Sequence, residues 1–339
     1  MQLLYLLIEV IVKCVVVFAC LMLSVAYITL LERKLLGRIQ VRFGPNRCGP
    51  FGLLQPFADG IKAFFKEDLI PGRSDKVLFV MAPMISIVCA IIIFAVIPFG
   101  NEFVIPGTGY VVKLRLADVD IGLLFIFAFA SLGEFGIILG GWSSGNKYGL
   151  IGSLRAAAQM ISYEVALGLS IIGVILLSQS LRLTEIVTLQ GGGFWNWNIW
   201  YQPVAFILYI VCGLAEINRT PFDMPEADAE LACGFNIEYS SMKFALFFMG
   251  EYAHMITVGA VAVTLFWGGW QPPLPFLGFI PGVVWFCAKL FVFLFFFIWQ
   301  RGTFPRLRYD QIMAFGWKIL LPLTLINLVI TALVIALKG

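Results

Sequence analysis

The stretch EINRTPFDMPEADAELACGFNIEYSSMKFALFFMGE, residues 216–251, decides how the chain is read. Long apolar runs border it on both sides. Within it stand Glu216, Arg219, Asp223, Glu226, Asp228, Glu230, Glu238, Lys243 and Glu251. A charge in a bilayer is expensive, so it is kept there for a pathway, a pair or a hydrated cavity. The remainder of the chain reads as the scaffold that holds and faces this segment.

The flanks set the class. The 339 residues are 60% hydrophobic and only 13% charged. Several runs exceed the ~18 apolar residues that mark a membrane helix. The expectation is an all-α, polytopic membrane protein with one membrane domain over residues 1–339 and no soluble domain. The opening MQLLYLLIEVIVKCVVVF lacks a basic n-region and a small-residue cleavage site, so it reads as a retained first helix.

Several chemistries find no support. The cysteines at 14, 20, 48, 89, 212, 233 and 287 form no CxxC pair, so there is no iron–sulfur signature. His254 is the single histidine, which excludes a bis-histidine haem held within the chain. No nucleotide fingerprint or phosphate loop is present. Neither a nucleophile with its general base nor a metal-binding cluster is legible. The sequence does not describe a self-contained enzyme.

Working outward, eight apolar runs are expected to span: 3–31, 77–97, 119–141, 155–178, 202–218, 242–267, 282–300 and 312–337. Glu9 and Lys13 in the first stand one helical turn apart, acid first, the better order for a pair. Residues 32–76 form the largest polar segment, with Arg33, Lys34, Arg38, Arg42 and Arg47 leading into the turn-rich GPNRCGPFG. Beyond it Leu54, Phe57, Ile61, Phe64 and Phe65 recur at helical spacing, opposite Asp59, Lys62 and Lys66. That pattern predicts an amphipathic helix on the membrane surface or against a partner. Residues 98–118 and 179–201 read as loops, the second with a Trp/Tyr interface belt, and GWSSGNKYG at 141–149 as a polar turn. In RAAAQMISYE, Arg155, Gln159 and Ser162 share a helix face. Asp223 and Glu226 have capping-box spacing, with Pro225 in the permitted first turn.

Charge distribution predicts orientation. The odd-numbered loops and their flanks hold seventeen Lys/Arg, against four in the even-numbered loops and C-terminus. The bias puts the odd loops in the cytoplasm and both termini outside. The basic segment 32–76, GWSSGNKYG, the acidic segment 216–243 and RGTFPRLRYDQ then share the cytoplasmic face.

Glu134, Glu164, Glu216 and Glu251 lie in or at the edge of four different apolar runs. In a hydrated interior such groups can pass protons; as neutral acids they can instead hold helices together. Three classes remain open: an ion-conducting subunit that shapes a site for an amphipathic substrate, a stand-alone carrier, and a structural membrane anchor. A carrier often has two hydropathy-similar halves, and no clear repeat is visible here. A pure anchor does not need acids inside its helices.

The longer motifs carry a resemblance. ERKLLGRIQVRFGPNRCGPFGLLQPFADGIKAFFKE at 32–67, GWSSGNKY at 141–148, RAAAQMISYE at 155–164, AEINRTPFDMPEADAELACGFNIEYSSMKFALFFMGEY at 215–252 and PRLRYDQIMAFGWK at 305–318 occur in order. Over nearly its whole length the chain resembles the heel-subunit family of respiratory NADH:quinone oxidoreductase (complex I), the H subunit in bacteria and subunit 1 in mitochondria. The resemblance implies eight membrane helices at the heel where the peripheral and membrane arms meet. It implies a chamber for ubiquinone or menaquinone, and coupling of quinone reduction to proton translocation in the bacterial inner membrane. FMN, NADH, the iron–sulfur clusters and the quinone headgroup site belong to peripheral partners, and other membrane-arm subunits and lipid complete the surroundings. No redox cofactor, metal or nucleic acid is expected on this subunit.

Carried over by resemblance, Glu134, Glu164, Glu216, Glu251, Asp223, Glu226, Asp228 and Glu230 match the proton route and the acidic loop. Arg33, Arg38, Arg42, Arg47, Phe57, Asp59, Ile61, Phe64, Arg219 and Arg301 match the chamber or its entrance. Asp228 stands where many members have Glu; Gly145 and His254 stand where Asn is frequent. Heel subunits of membrane-bound hydrogenase complexes share the architecture, and GPNRCGPFG with PFDMPEADAEL favours the quinone-reducing branch over them.

Overall fold

The first helix, α1, runs from Gln2 to Ile39, well past its apolar run. Glu32, Arg33, Lys34 and Arg38 are therefore helical, and the polar connection begins at residue 40 rather than 32. Leu, Glu, Arg and Lys are all good helix formers, and the single Gly37 in LLERKLLGRI does not stop the helix. In this computed structural model, residues 2–104, 111–225 and 231–338 are described.

The amphipathic pattern becomes α2, Gln55–Phe65. Before it, GPNRCGPFG makes the irregular path expected of its glycines. Gly52 sits at φ +77°, and a Cβ there would run into the Pro45 carbonyl oxygen. Helix α3, Lys76–Ile93, starts on Asp75, whose carboxylate accepts from the backbone N–H groups of Val77 and Leu78. Pro83 inside α3 has no N–H to give the Phe79 carbonyl. The Tyr239 hydroxyl donates to that carbonyl instead, at 3.3 Å, while its ring stacks 4.1 Å from that of Phe79.

Residues 98–118 are more than a loop. Strands β1, Glu102–Val104, and β2, Val111–Lys113, pair antiparallel with Glu102 opposite Lys113. Helices α4, Gly122–Ser143, and α5, Lys147–Ser178, follow. The turn expected over 141–149 shrinks to 144–146, because Asn146 caps α5 by accepting from the Tyr148 N–H at 3.0 Å. Short helices α6, Leu183–Leu189, and α7, Asn198–Tyr201, lead to α8, Pro203–Glu216. Then come α9, Ser241–Phe266, α10, Gly282–Thr303, α11, Tyr309–Phe315, and α12, Leu321–Lys338, the last two joined by a π turn at Gly316–Leu320.

The described residues thus build a helical, polytopic membrane protein. Seven of the helical stretches are long and apolar enough to cross a membrane. The remaining run, 202–218, forms only the 14 residues of α8. At 1.5 Å per residue that is ~21 Å, against a hydrocarbon core of ~30 Å. Pro203 opens α8 and Glu216 closes it, so its length is set by the sequence at both ends. The chain then continues through the irregular 217–225, whose residues are mostly buried.

Helix α9 is the most enclosed of the spanning helices, and α1 and the final span are the most open. Gly136 lets α4 lie directly on α3: its Cβ position is 2.7 Å from the Ala82 carbonyl oxygen. On the far side of the core, Lys289 of α10 is buried. Its ammonium donates to the carbonyls of Trp267, Gly269 and Gln271 at 2.6, 2.9 and 2.7 Å and sits 4.1 Å from the Trp197 ring centroid. These carbonyls follow the end of α9, where backbone acceptors have no helical donors.

Candidate functional site

The site starts from Glu32, which in the sequence looks like part of a basic run. It lies on α1, is 4% exposed, and gathers three partners from three other segments. Arg219, in the irregular stretch after α8, donates through Nη1 to both its oxygens at 3.0 and 3.3 Å. Tyr252 of α9 donates its hydroxyl at 2.7 Å. Arg301, at the end of α10, donates to Oε1. One carboxylate thus binds two guanidiniums, and Arg219 also stacks 4.5 Å over the Tyr252 ring.

Arg219 has a second carboxylate. Its Nε lies 2.5 Å from Glu251 Oε1, a contact of charge rather than an aligned hydrogen bond. Burial works against the Arg219 charge, but Glu251 and Glu32 outweigh it and hold its pKa above the ordinary guanidinium value. Arg219 therefore stays a cation although it is only 5% exposed.

Glu251 connects this cluster to the interior. With Glu134 of α4, Glu216 of α8 and His254 of α9 it lines a cavity of about 60 Å³, which Asn218 and Ser86 also border. Glu216 is buried and its Oε1 is 3.4 Å from His254 Nε2. Glu164 of α5 receives a hydrogen bond from Ser131 and is near enough to Glu134 for their charges to interact. The four intramembrane glutamates expected from the sequence are thus brought together, and Glu32, Tyr252 and His254 join them.

Gln159 holds the floor of this arrangement. Its amide donates to the Ala215 and Phe222 carbonyls at 2.7 and 2.8 Å and to Asn218 Oδ1 at 3.2 Å. That pins the end of α8 and the start of the acidic stretch to α5. Asp223 is buried and pairs with Arg306 of the last loop at 2.6 Å. The capping box expected for Asp223 needs Glu226, and Glu226, Asp228 and Glu230 lie outside the described residues.

The expected entrance residues divide. Arg301 does not join the basic loop but faces Glu32. Arg33 pairs with Asp59 at 2.5 Å, and Gln55 donates to the other oxygen of Asp59 at 2.9 Å. Arg38, Arg42 and Arg47 are exposed. Phe57, Ile61 and Phe64 are 47%, 60% and 69% exposed, so the apolar stripe of α2 stands free. Its C-terminal end is tied to α9: Ser241 donates to the Ala63 and Lys66 carbonyls at 2.9 Å, and Lys243 pairs with Asp68 at 2.9 Å.

Fold and site together define a polytopic helical membrane protein with a carboxylate-rich interior wired to a buried guanidinium. The family model described as NADH dehydrogenase matches residues 12–332. The chain belongs to that family. It is 52% identical to the NADH-quinone oxidoreductase H subunit numbered 2 of Koribacter versatilis, over 96% of this chain and 97% of that one. It is 52% identical to the H subunit numbered 1 of Geobacter sulfurreducens, over 98% and 96%. It is 49% identical to the H subunit of Ehrlichia canis, over 95% and 88%.

Proposed function

We propose that this chain is the membrane-arm heel subunit of a proton-translocating NADH:quinone oxidoreductase. It borders the quinone chamber and passes the effect of quinone reduction to acids inside the membrane. The observation that carries this reading is the double contact of Glu251: it touches Arg219, which holds Glu32, and it lines the cavity shared by Glu134, Glu216 and His254. A change of charge near Arg219 is therefore felt by the interior carboxylates through one residue. The names of the relatives support the same complex. In this reading the chain holds no redox group, and NADH, FMN and iron–sulfur chemistry sit on peripheral partners. Its odd-numbered loops face the cytoplasm and both termini lie outside, as the charge bias requires.

The exposed face of α2 supplies the apolar wall that an isoprenoid tail needs at a chamber mouth. A photoreactive quinone analogue should label residues 33–66 or their neighbours. Labelling confined to another subunit would remove the entrance from this chain.

The decisive test is Glu216→Gln, which keeps size and hydrogen-bonding capacity but loses the titratable proton. Quinone-linked pumping in sealed vesicles, normalised to assembled complex, should fall. Electron transfer from NADH to an artificial acceptor on the peripheral arm should persist, and Glu216→Asp should retain more pumping than Gln. Wild-type pumping in the Gln variant would reduce Glu216 to a packing acid, the role an anchor would need.

A further inference from the structure

The grouping of Glu134, Glu216 and His254 has a geometry that proton relay does not require. Three different helices bring one ligand atom from each residue within 4.8 Å of the other two. We propose that they form a binding site for one divalent transition-metal ion of the zinc class. His254 Nε2 and Glu216 Oε1 are 3.4 Å apart. Zinc holds imidazole nitrogen and carboxylate oxygen at ~2.0–2.2 Å, so two such ligands on a tetrahedron stand about 3.3–3.5 Å apart. The observed separation is that of a tetrahedral edge and is long for a hydrogen bond.

The histidine nitrogen is also available to a metal. His254 Nε2 is shut off from solvent and has no hydrogen-bond partner. The Glu216 side chain is only 7% exposed and borders the 60 Å³ cavity, as does Glu134. A water needs ~10–15 Å³ of such space, so a fourth, exchangeable ligand fits. Three protein ligands with one open position is a zinc-type set. The imidazole selects against magnesium and calcium, which prefer oxygen throughout. Metal binding takes carboxylates and imidazole in their deprotonated forms, and two carboxylates would then balance the charge of a divalent ion.

A bound ion would occupy Glu134 and Glu216 together. On the proton role proposed above, it inhibits pumping; the binding itself does not rest on that role. The test uses the intact complex, stripped with a chelator and equilibrated with buffered free zinc. Bound zinc is counted per complex for wild type, His254→Asn and Glu134→Gln. Wild type should bind one zinc more than either variant, or bind it at least tenfold more tightly. X-ray absorption of the first added equivalent in wild type should give one imidazole nitrogen and two carboxylate oxygens, a readout independent of variant assembly. Equal zinc binding in wild type and His254→Asn, or a sulfur-containing shell, would overturn the site. Zinc bound in this shell with pumping undiminished would support the site and overturn the proton role of Glu216.

Discussion

Replacing Glu32 by Gln removes the carboxylate that Arg219 and Arg301 both contact directly. Glu32 is 4% exposed, so losing its charge weakens the compensation of the buried positive charge beside it. Breaking a buried pair from one side costs about 3–5 kcal/mol. Two features of the site place Glu32→Gln at the lower end. The Arg301 side chain is 34% exposed and can rehydrate, and Arg219 keeps Glu251. With an unfolding entropy of ~2.1 cal/mol/K per residue, about 3 kcal/mol spread over the 339 residues lowers the melting midpoint by about 4 °C. The assay is thermal loss of intact complex on native gels, followed in parallel by quinone-linked turnover. Adding Arg301→Gln removes one stranded cation, so the double variant should be less damaged than the two single effects combined, by about 0.5–3 kcal/mol. A Glu32→Gln complex that melts with wild type, or a strictly additive double variant, would refute the role of Glu32 as the shared counterion.

Three further outcomes follow from the packing. Lys289→Met strands the carbonyls of Trp267, Gly269 and Gln271 and should cost at least ~2 kcal/mol, read as reduced assembled complex; Arg, with its planar fork, should rescue only partly. Burial pushes the Tyr239 hydroxyl up to about 12, above the ordinary value of 10.0. The unfolded chain thus loses this proton first, so the stabilisation is whole below pH 10.0 and falls as pH rises towards about 12; Tyr239→Phe should flatten that alkaline loss of melting temperature. Gly52→Ala meets both the left-handed backbone and the Pro45 carbonyl, and should abolish or sharply reduce assembly, whereas Gly60→Ala, with open space at its Cβ, should assemble normally.

Much of the fold was legible because hydropathy is a local signal. The apolar runs, the Glu9–Lys13 pair and the helix of Phe57, Ile61 and Phe64 all depend on neighbours a turn or two away. Helix ends were less legible. Glu32 and Arg33 look like the start of a polar loop, yet the helix continues through them because no proline intervenes before Ile39. That misplaced boundary hid the hub of the site. The sequence marked Glu134, Glu164, Glu216 and Glu251 as unusual by their apolar surroundings. It could not mark Glu32, whose partners Arg219, Tyr252 and Arg301 are 187, 220 and 269 positions away. The grouping of Glu134, Glu216 and His254 was invisible for the same reason: it has no spacing, only a convergence of α4, α8 and α9.

The ties between α2 and α9 have a mechanical consequence. Ser241 and Lys243, at the start of α9, grip the end of the surface helix, and Glu251 rides ten residues further along the same rod. At 1.5 Å per residue that is a lever of about 15 Å. A tilt of about 10° pivoting at Ser241 swings Glu251 by about 2.6 Å. This is as large as its 2.5 Å separation from Arg219, so a rotation of that size would be enough to break that contact. The grip on α2 and the contact with Arg219 are thus carried by one rigid element, and a change in its tilt would act on both.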